Sequence, residues 1–234
     1  MKKSLMYLGV ASAILASITP SLVHAEAGDW VVRARAVNVA PNEDSKLGRT
    51  VNQNVANVMS PGAELHVSDK VIPELDISYY FTKNIAAELI LAVGTRHNVN
   101  IQGDALATVG NQDLGSVNLL PPTLTAQWHF NPDQTFDPYI GAGINFTAFL
   151  DRNLKINSGA LAGTKIKVDS DSWGPALQAG FDINLKDGWL INADVKYVWL
   201  DTDVKLNTPA GAWTKIDSLD INPWVVGIGI GKKF

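Results

Sequence analysis

Eight stretches of the chain alternate apolar and polar residues with a period of two, the spacing of a strand whose faces meet different environments. The clearest is the last, 224–234. Trp224, Val226, Ile228, Ile230 and Phe234 share one face, interrupted only by Lys232, and oppose Val225, Gly227, Gly229, Gly231 and Lys233. The first stretch sets Trp30, Val32, Ala34 and Ala36 against Arg33, Arg35 and Val37. Between them the pattern predicts strands over 74–81, 85–93, 123–130, 136–146, 173–184 and 189–199. Short turns at 82–84, 131–134 and 186–188 join some neighbours, whereas four connections are long, roughly 40–70, 95–117, 150–172 and 201–219.

A water-soluble sandwich or barrel would alternate in the same way, so the choice rests on what lies where. Trp30, Phe81, Trp128, Phe130, Phe136, Trp189 and Phe234 fall near the short turns, and Trp173, Tyr197, Trp199 and Trp224 toward the long connections. Two aromatic girdles around an apolar band are expected where strands cross lipid. The polar faces are rich in Gly, Asn and Thr and poor in Lys, which suits a lumen better than a water-facing surface. Closure follows, because an open edge in lipid leaves backbone groups unpaired. The predicted fold is all-β, an eight-stranded antiparallel up-and-down transmembrane β-barrel, with short turns in the periplasm and long loops outside.

The ends of the chain point to the same compartment. Lys2 and Lys3 precede an uncharged apolar run over 5–16, and Val23-His24-Ala25 offers a small-x-Ala-like cleavage site. Residues 1–25 therefore read as a removed signal peptide and 26–234 as one barrel domain. A terminal Phe234 is a recognition signature for the barrel-insertion machinery. The expected location is the outer membrane of a Gram-negative cell, beside lipid and lipopolysaccharide. The chain has no cysteine, which excludes disulfides and thiolate chemistry, and its net charge of −4 with no basic cluster excludes nucleic acid.

Several blocks are similar to those of the OmpW family of outer-membrane proteins. They are Gly28-Asp29-Trp30 with Val32-Arg33-Ala34-Arg35, Val39-Ala40-Pro41-Asn42, Leu120-Pro121-Pro122-Thr123-Leu124, Gln127-Trp128, Pro138 through Asn145, Ser172-Trp173-Gly174 and Pro223-Trp224. The resemblance covers essentially all of 26–234. It implies an eight-stranded barrel and a role in passage of small hydrophobic molecules across the outer membrane. It also implies links to stress responses and service as a phage or bacteriocin receptor.

Inward residues divide into two storeys. Arg33, Arg35, Asp76, Glu88, Asp182 and Asp194 lie toward the periplasm and are expected to pair into a charged plug, since unpaired buried charges are costly. Val37, Val39, Ile90, Leu119, Phe149, Val198, Leu200 and Val225 lie toward the outside and line an apolar funnel for small hydrophobic solutes. With the plug below, a solute would leave sideways through the wall. Pro121, Pro122 and Pro223 loosen hydrogen bonding there, because proline donates none. The alternative is a structural or stress-related barrel whose loops serve as a receptor. No enzyme, cofactor or metal is expected: there is no Gly-x-Ser-x-Gly elbow, and His24, His66, His97 and His129 lack metal-ligand spacing. The loop acids Glu43, Asp44, Asp104, Asp113, Asp169 and Asp171 are expected to be solvated.

Overall fold

A computed structural model describes residues 26–93, 95–106, 108–152, 154–208 and 211–234. The expected signal peptide, 1–25, lies outside the described residues. In chain order the elements are β1 (Trp30–Ala40), α1 (Leu47–Asn54), β2 (Glu64–Val67), β3 (Lys70–Tyr80), β4 (Ile85–Ala92), β5 (Thr95–Gln102), β6 (Gln112–Leu120), β7 (Thr123–His129), β8 (Phe136–Asp151), β9 (Leu154–Lys155), β10 (Lys165–Val168), β11 (Asp171–Asn184), β12 (Trp189–Val198), β13 (Asp201–Asn207), β14 (Trp213–Asp220) and β15 (Trp224–Lys233).

Eight of these strands close an antiparallel barrel in the order β11-β12-β15-β1-β3-β4-β7-β8, with β8 pairing back onto β11. The seam between first and last strands is in register from Val31↔Lys233 to Ala40↔Trp224. The tight turn before β12 is made by Gly188, at φ +74°, a left-handed conformation that favours glycine.

Burial settles the choice between a membrane barrel and a soluble one. Large apolar side chains such as Ile228, Trp173, Ile144 and Leu124 point outward and are at least half exposed, whereas Arg33, Asp76 and Glu88 are wholly buried inside. A water-soluble barrel would place these two sets the other way round. Outward aromatics mark both rims of the apolar band. Trp30 packs on Tyr79 at 4.9 Å near the short turns, and Phe146 packs on Trp173 at 4.6 Å toward the other end.

The four long connections are not plain loops. They hold α1 and seven strands, which continue the barrel beyond its apolar band. β6, β5 and β2 extend the barrel sheet from the upper end of β8, and β14-β13-β10-β9 form a separate four-stranded sheet. The two layers enclose an apolar core that includes Leu65, Val99, Leu114, Phe149, Ile166 and Leu206. Short strands with interspersed Gly and Asn blur the two-residue period there. Asp217 anchors this superstructure by accepting from Ser45 Oγ at 2.5 Å and Lys46 N at 2.9 Å at the start of α1.

Asp104 corrects the expectation of solvated loop acids. It is buried and accepts backbone N–H groups from Ser60 and Gly110 at 2.9 Å and from Leu106 at 3.3 Å. Glu43 likewise accepts from Val67 N at 2.7 Å.

A charged floor beneath two apolar cavities

The register between β1 and β3 sets Arg33 opposite Asp76 and Arg35 opposite Glu74. The stems of both arginines cross the inner face of β15, which is why that face is glycine. A Cβ on Gly229 would lie 2.6 Å from Arg35 Cγ, and one on Gly231 would lie 2.9 Å from Arg33 Cγ. Arg33 reaches across the lumen to Asp182, with contacts of 2.6 and 3.3 Å, and donates to Ser78 Oγ at 2.6 Å and Glu88 at 3.1 Å. The Arg35 guanidinium lies 2.5 Å from Asp76, 3.0 Å from Glu74 and 2.8 Å from Asp194. All six residues expected in the plug are thus brought together.

Two charged members were not assigned to the plug from sequence. Lys196 Nζ donates at 2.9 Å to both Glu74 and Asp194, and all three are buried. The signal was present: Lys196 follows Asp194 by two positions and therefore shares its face. Gln127 and Gln178 also donate to Glu88, at 2.8 and 2.9 Å. Asp76 sits against Arg35 without a well-aligned hydrogen bond to either carboxylate oxygen, so charge rather than hydrogen bonding holds it. Side chains fill this half of the barrel, as expected for eight strands.

Below the arginines, His129, Asp137 and Asp182 bring three potential metal-ligating atoms within 4.8 Å of one another. These donors are already committed. His129 Nδ1 meets Asp137 at 2.7 Å, while Asp182 is held by Arg33 and by Asn192 at 2.8 Å. The cluster is a hydrogen-bonded floor rather than an open metal site.

Above Lys196 lies a cavity of about 70 Å³. Val39, Ile90, Leu119, Val198, Leu200 and Val225, six of the eight funnel candidates, line it together with Ile72 and Ala92. Val37 packs beside it against Ile72, Ala92 and Val225. Phe149 lines a second, smaller cavity of about 30 Å³ farther out, with Leu65, Val99 and Val204. Glu74, Lys196, Thr123, Asn145 and Thr147 give the lower cavity its polar groups. Ile72 precedes the alternation that predicts the second strand, which begins at Glu74. His97, which lines both cavities, falls in the long connection 95–117 outside the predicted strands, where alternation gives it no inward face.

The prolines differ in what surrounds them. Pro121 and Pro223 line the lower cavity; Pro122 is not part of the lining. The register of β4 with β7 ends at Ile90↔Thr123, and pairing resumes between β5 and β6 at Thr95↔Leu119. Pro121 and Pro122 fall inside this interruption. On the other flank the strand stays stitched, with Phe146 N donating to Pro122 O at 3.0 Å. Beside Pro223, Val198 N donates to Pro223 O at 3.2 Å and Ile221 N to Leu200 O at 2.7 Å, so hydrogen bonding runs past it.

The OmpW family model matches residues 26–234. Outer membrane protein W of Vibrio cholerae serotype O1 is 37% identical, over the whole of both chains. Among solved structures, the crystal structure of the outer membrane protein OprG from Pseudomonas aeruginosa superposes with a TM-score of 0.75. It is 32% identical and covers 90% of this chain and 98% of its own. The solid-state NMR structure of outer membrane protein AlkL in DMPC lipid bilayers superposes with a TM-score of 0.63. It is 25% identical and covers 100% of this chain and 97% of its own.

Proposed function

The chain belongs to the OmpW family of Gram-negative outer-membrane barrels, and from that premise we propose that it mediates passive passage of small hydrophobic molecules. A solute enters through the outer superstructure, settles in the cavity lined by Leu119, Val198 and Leu200, and leaves sideways into the bilayer beside Pro121 and Pro122. The observation that carries this reading is an apolar cavity set directly on a floor of paired charges. An apolar solute gains by leaving water for the cavity but would have to break buried ion pairs to continue downward. The interrupted pairing between β4 and β7 supports the wall as the exit. Lipid and lipopolysaccharide surround the barrel in this reading, and Phe234 presents the last strand to the insertion machinery.

The test is accumulation of a radiolabelled hydrophobic compound by cells with and without the protein, at matched membrane integrity. Faster uptake that is lost in Leu200→Asp, with the variant correctly inserted, supports the route. Equal uptake with and without the protein overturns it and favours a receptor or structural barrel acting through the outer superstructure.

A further inference from the structure

The two cavities share His97 and Leu119 in their linings, so any molecule moving between them passes an imidazole. His97 is 3% exposed. Its Nδ1 lies 2.7 Å from the carbonyl oxygen of Ser68. A carbonyl only accepts, so Nδ1 carries the proton, and the neutral ring keeps its lone pair on Nε2. Among the described residues, Nε2 has no hydrogen-bond partner. Of the other polar groups at this level, the Thr95 hydroxyl donates to Leu119 O, and Thr202 Oγ accepts from Asp169 N at 3.2 Å while keeping its own O–H to donate. Arg96 and Asp151 pair at 3.3 Å on the outer surface beside His97, which puts this level above the hydrocarbon. Burial lowers the His97 pKa below its ordinary 6.5; the Ser68 carbonyl opposes that, Lys70 reinforces it and Asp69 opposes it. The ring is therefore neutral at pH 7.

An acceptor without a partner in an apolar passage discriminates between solutes. A hydrocarbon leaves it unsatisfied, a carboxylate or ether oxygen faces it with another lone pair, and a hydroxyl or N–H satisfies it. We propose that His97 is the specificity-determining residue of the passage, accepting a hydrogen bond from apolar solutes that carry one donor, so that apolar alcohols pass in preference to hydrocarbons of the same length. The inference rests on the uptake reading above and adds a substrate class to it.

The experiment compares protein-dependent initial uptake of labelled 1-octanol, its methyl ether and n-octane by cells expressing the full chain. The wild type is expected to favour octanol over both others by roughly fivefold, the size of one net hydrogen bond. That ratio falls toward one in His97→Phe, which keeps ring bulk without an acceptor; in His97→Gln, whose amide both accepts and donates, the preference over octane persists while the preference over the ether falls. A wild type that handles octanol and its ether alike overturns the proposal without recourse to any variant, as does a preference that survives His97→Phe. Protein-independent uptake of all three compounds overturns the transport reading itself, and this inference with it.

Discussion

Trp30 and Phe234 exchange backbone hydrogen bonds in both directions, Phe234 N to Trp30 O at 2.8 Å and Trp30 N to Phe234 O at 3.1 Å. The last residue of the chain thus closes the ring against the first residue of β1. Deleting Phe234 removes both bonds and one girdle aromatic, whereas Phe234→Ala removes only the ring. Folded barrel in the outer membrane, read as the heat-modifiable band on gels, is expected to fall further for the deletion than for the substitution. Equal losses would mean that the aromatic ring, not closure, is what assembly needs.

Gly143 faces the lumen where β8 passes β7, and a Cβ there would lie 1.9 Å from Leu124 O. That contact is with backbone, so no side-chain rotation relieves it. Gly143→Val is expected to cost more than the usual 1–3 kcal/mol of an overpacked core, roughly enough to prevent closure of β7 on β8. Urea-gradient refolding into detergent or lipid checks it.

Alternation made the barrel legible because one face of every spanning strand meets lipid and the other meets a polar lumen, as Ile228 and Gly229 do side by side. The same rule located Arg33, Arg35 and their carboxylates, since a buried arginine in so narrow a lumen must find acids. The superstructure was hidden for the converse reason. Its strands pack against one another and are apolar on one side only, in runs such as Glu64–Val67 that are too short to establish a period. The interrupted wall was half visible: Pro121 and Pro122 gave it away, but Pro223 carried the same signal and sits in a stitched seam. A proline removes its own donor, and only the neighbouring register decides whether pairing across the wall is interrupted.

Lys196 joins Glu74 and Asp194 at the floor of the lower cavity. Lys196→Met leaves Glu74 and Asp194 with Arg35 as their remaining cation, while Gln178 still donates to Asp194 at 2.8 Å. The expected loss is about 3 kcal/mol, the low end for a broken buried pair because Arg35 still lies beside both acids. Adding Glu74→Gln should recover most of it. Equilibrium unfolding in lipid vesicles tests the cycle, and a double variant no more stable than Lys196→Met would refute the pairing.

Asp104 ties Leu106 and Gly110 to Ser60 through their backbone N–H groups. Burial disfavours its charge, but the N–H groups of Ser60, Gly110 and Leu106 together with the Ser60 hydroxyl outweigh that, so its pKa falls below the ordinary 3.8. A carboxylate with a lowered folded pKa adds stability that is complete above the ordinary range and fades as the pH falls through the folded value. Protection of the Gly110 amide from exchange, corrected for intrinsic rate, should therefore hold from pH 7 to about 4 and drop below that. In Asp104→Asn it should be low throughout and flat with pH.

Pro121 and Pro122 interrupt the pairing of β4 with β7 at the level of the lower cavity. Successive residues of a strand turn their N–H groups to opposite neighbours, so one missing donor faces β8 and the other faces the break. On the β8 side Phe146 N bonds to Pro122 O, and the strand holds. Replacing both prolines with valine restores a donor on each side and lets the wall zip from Ile90↔Thr123 toward Thr95↔Leu119. If the solute leaves here, uptake of a hydrophobic compound should fall severalfold while thermal stability stays equal or rises. A sealed, stable barrel that still carries the solute at the wild-type rate would move the exit elsewhere.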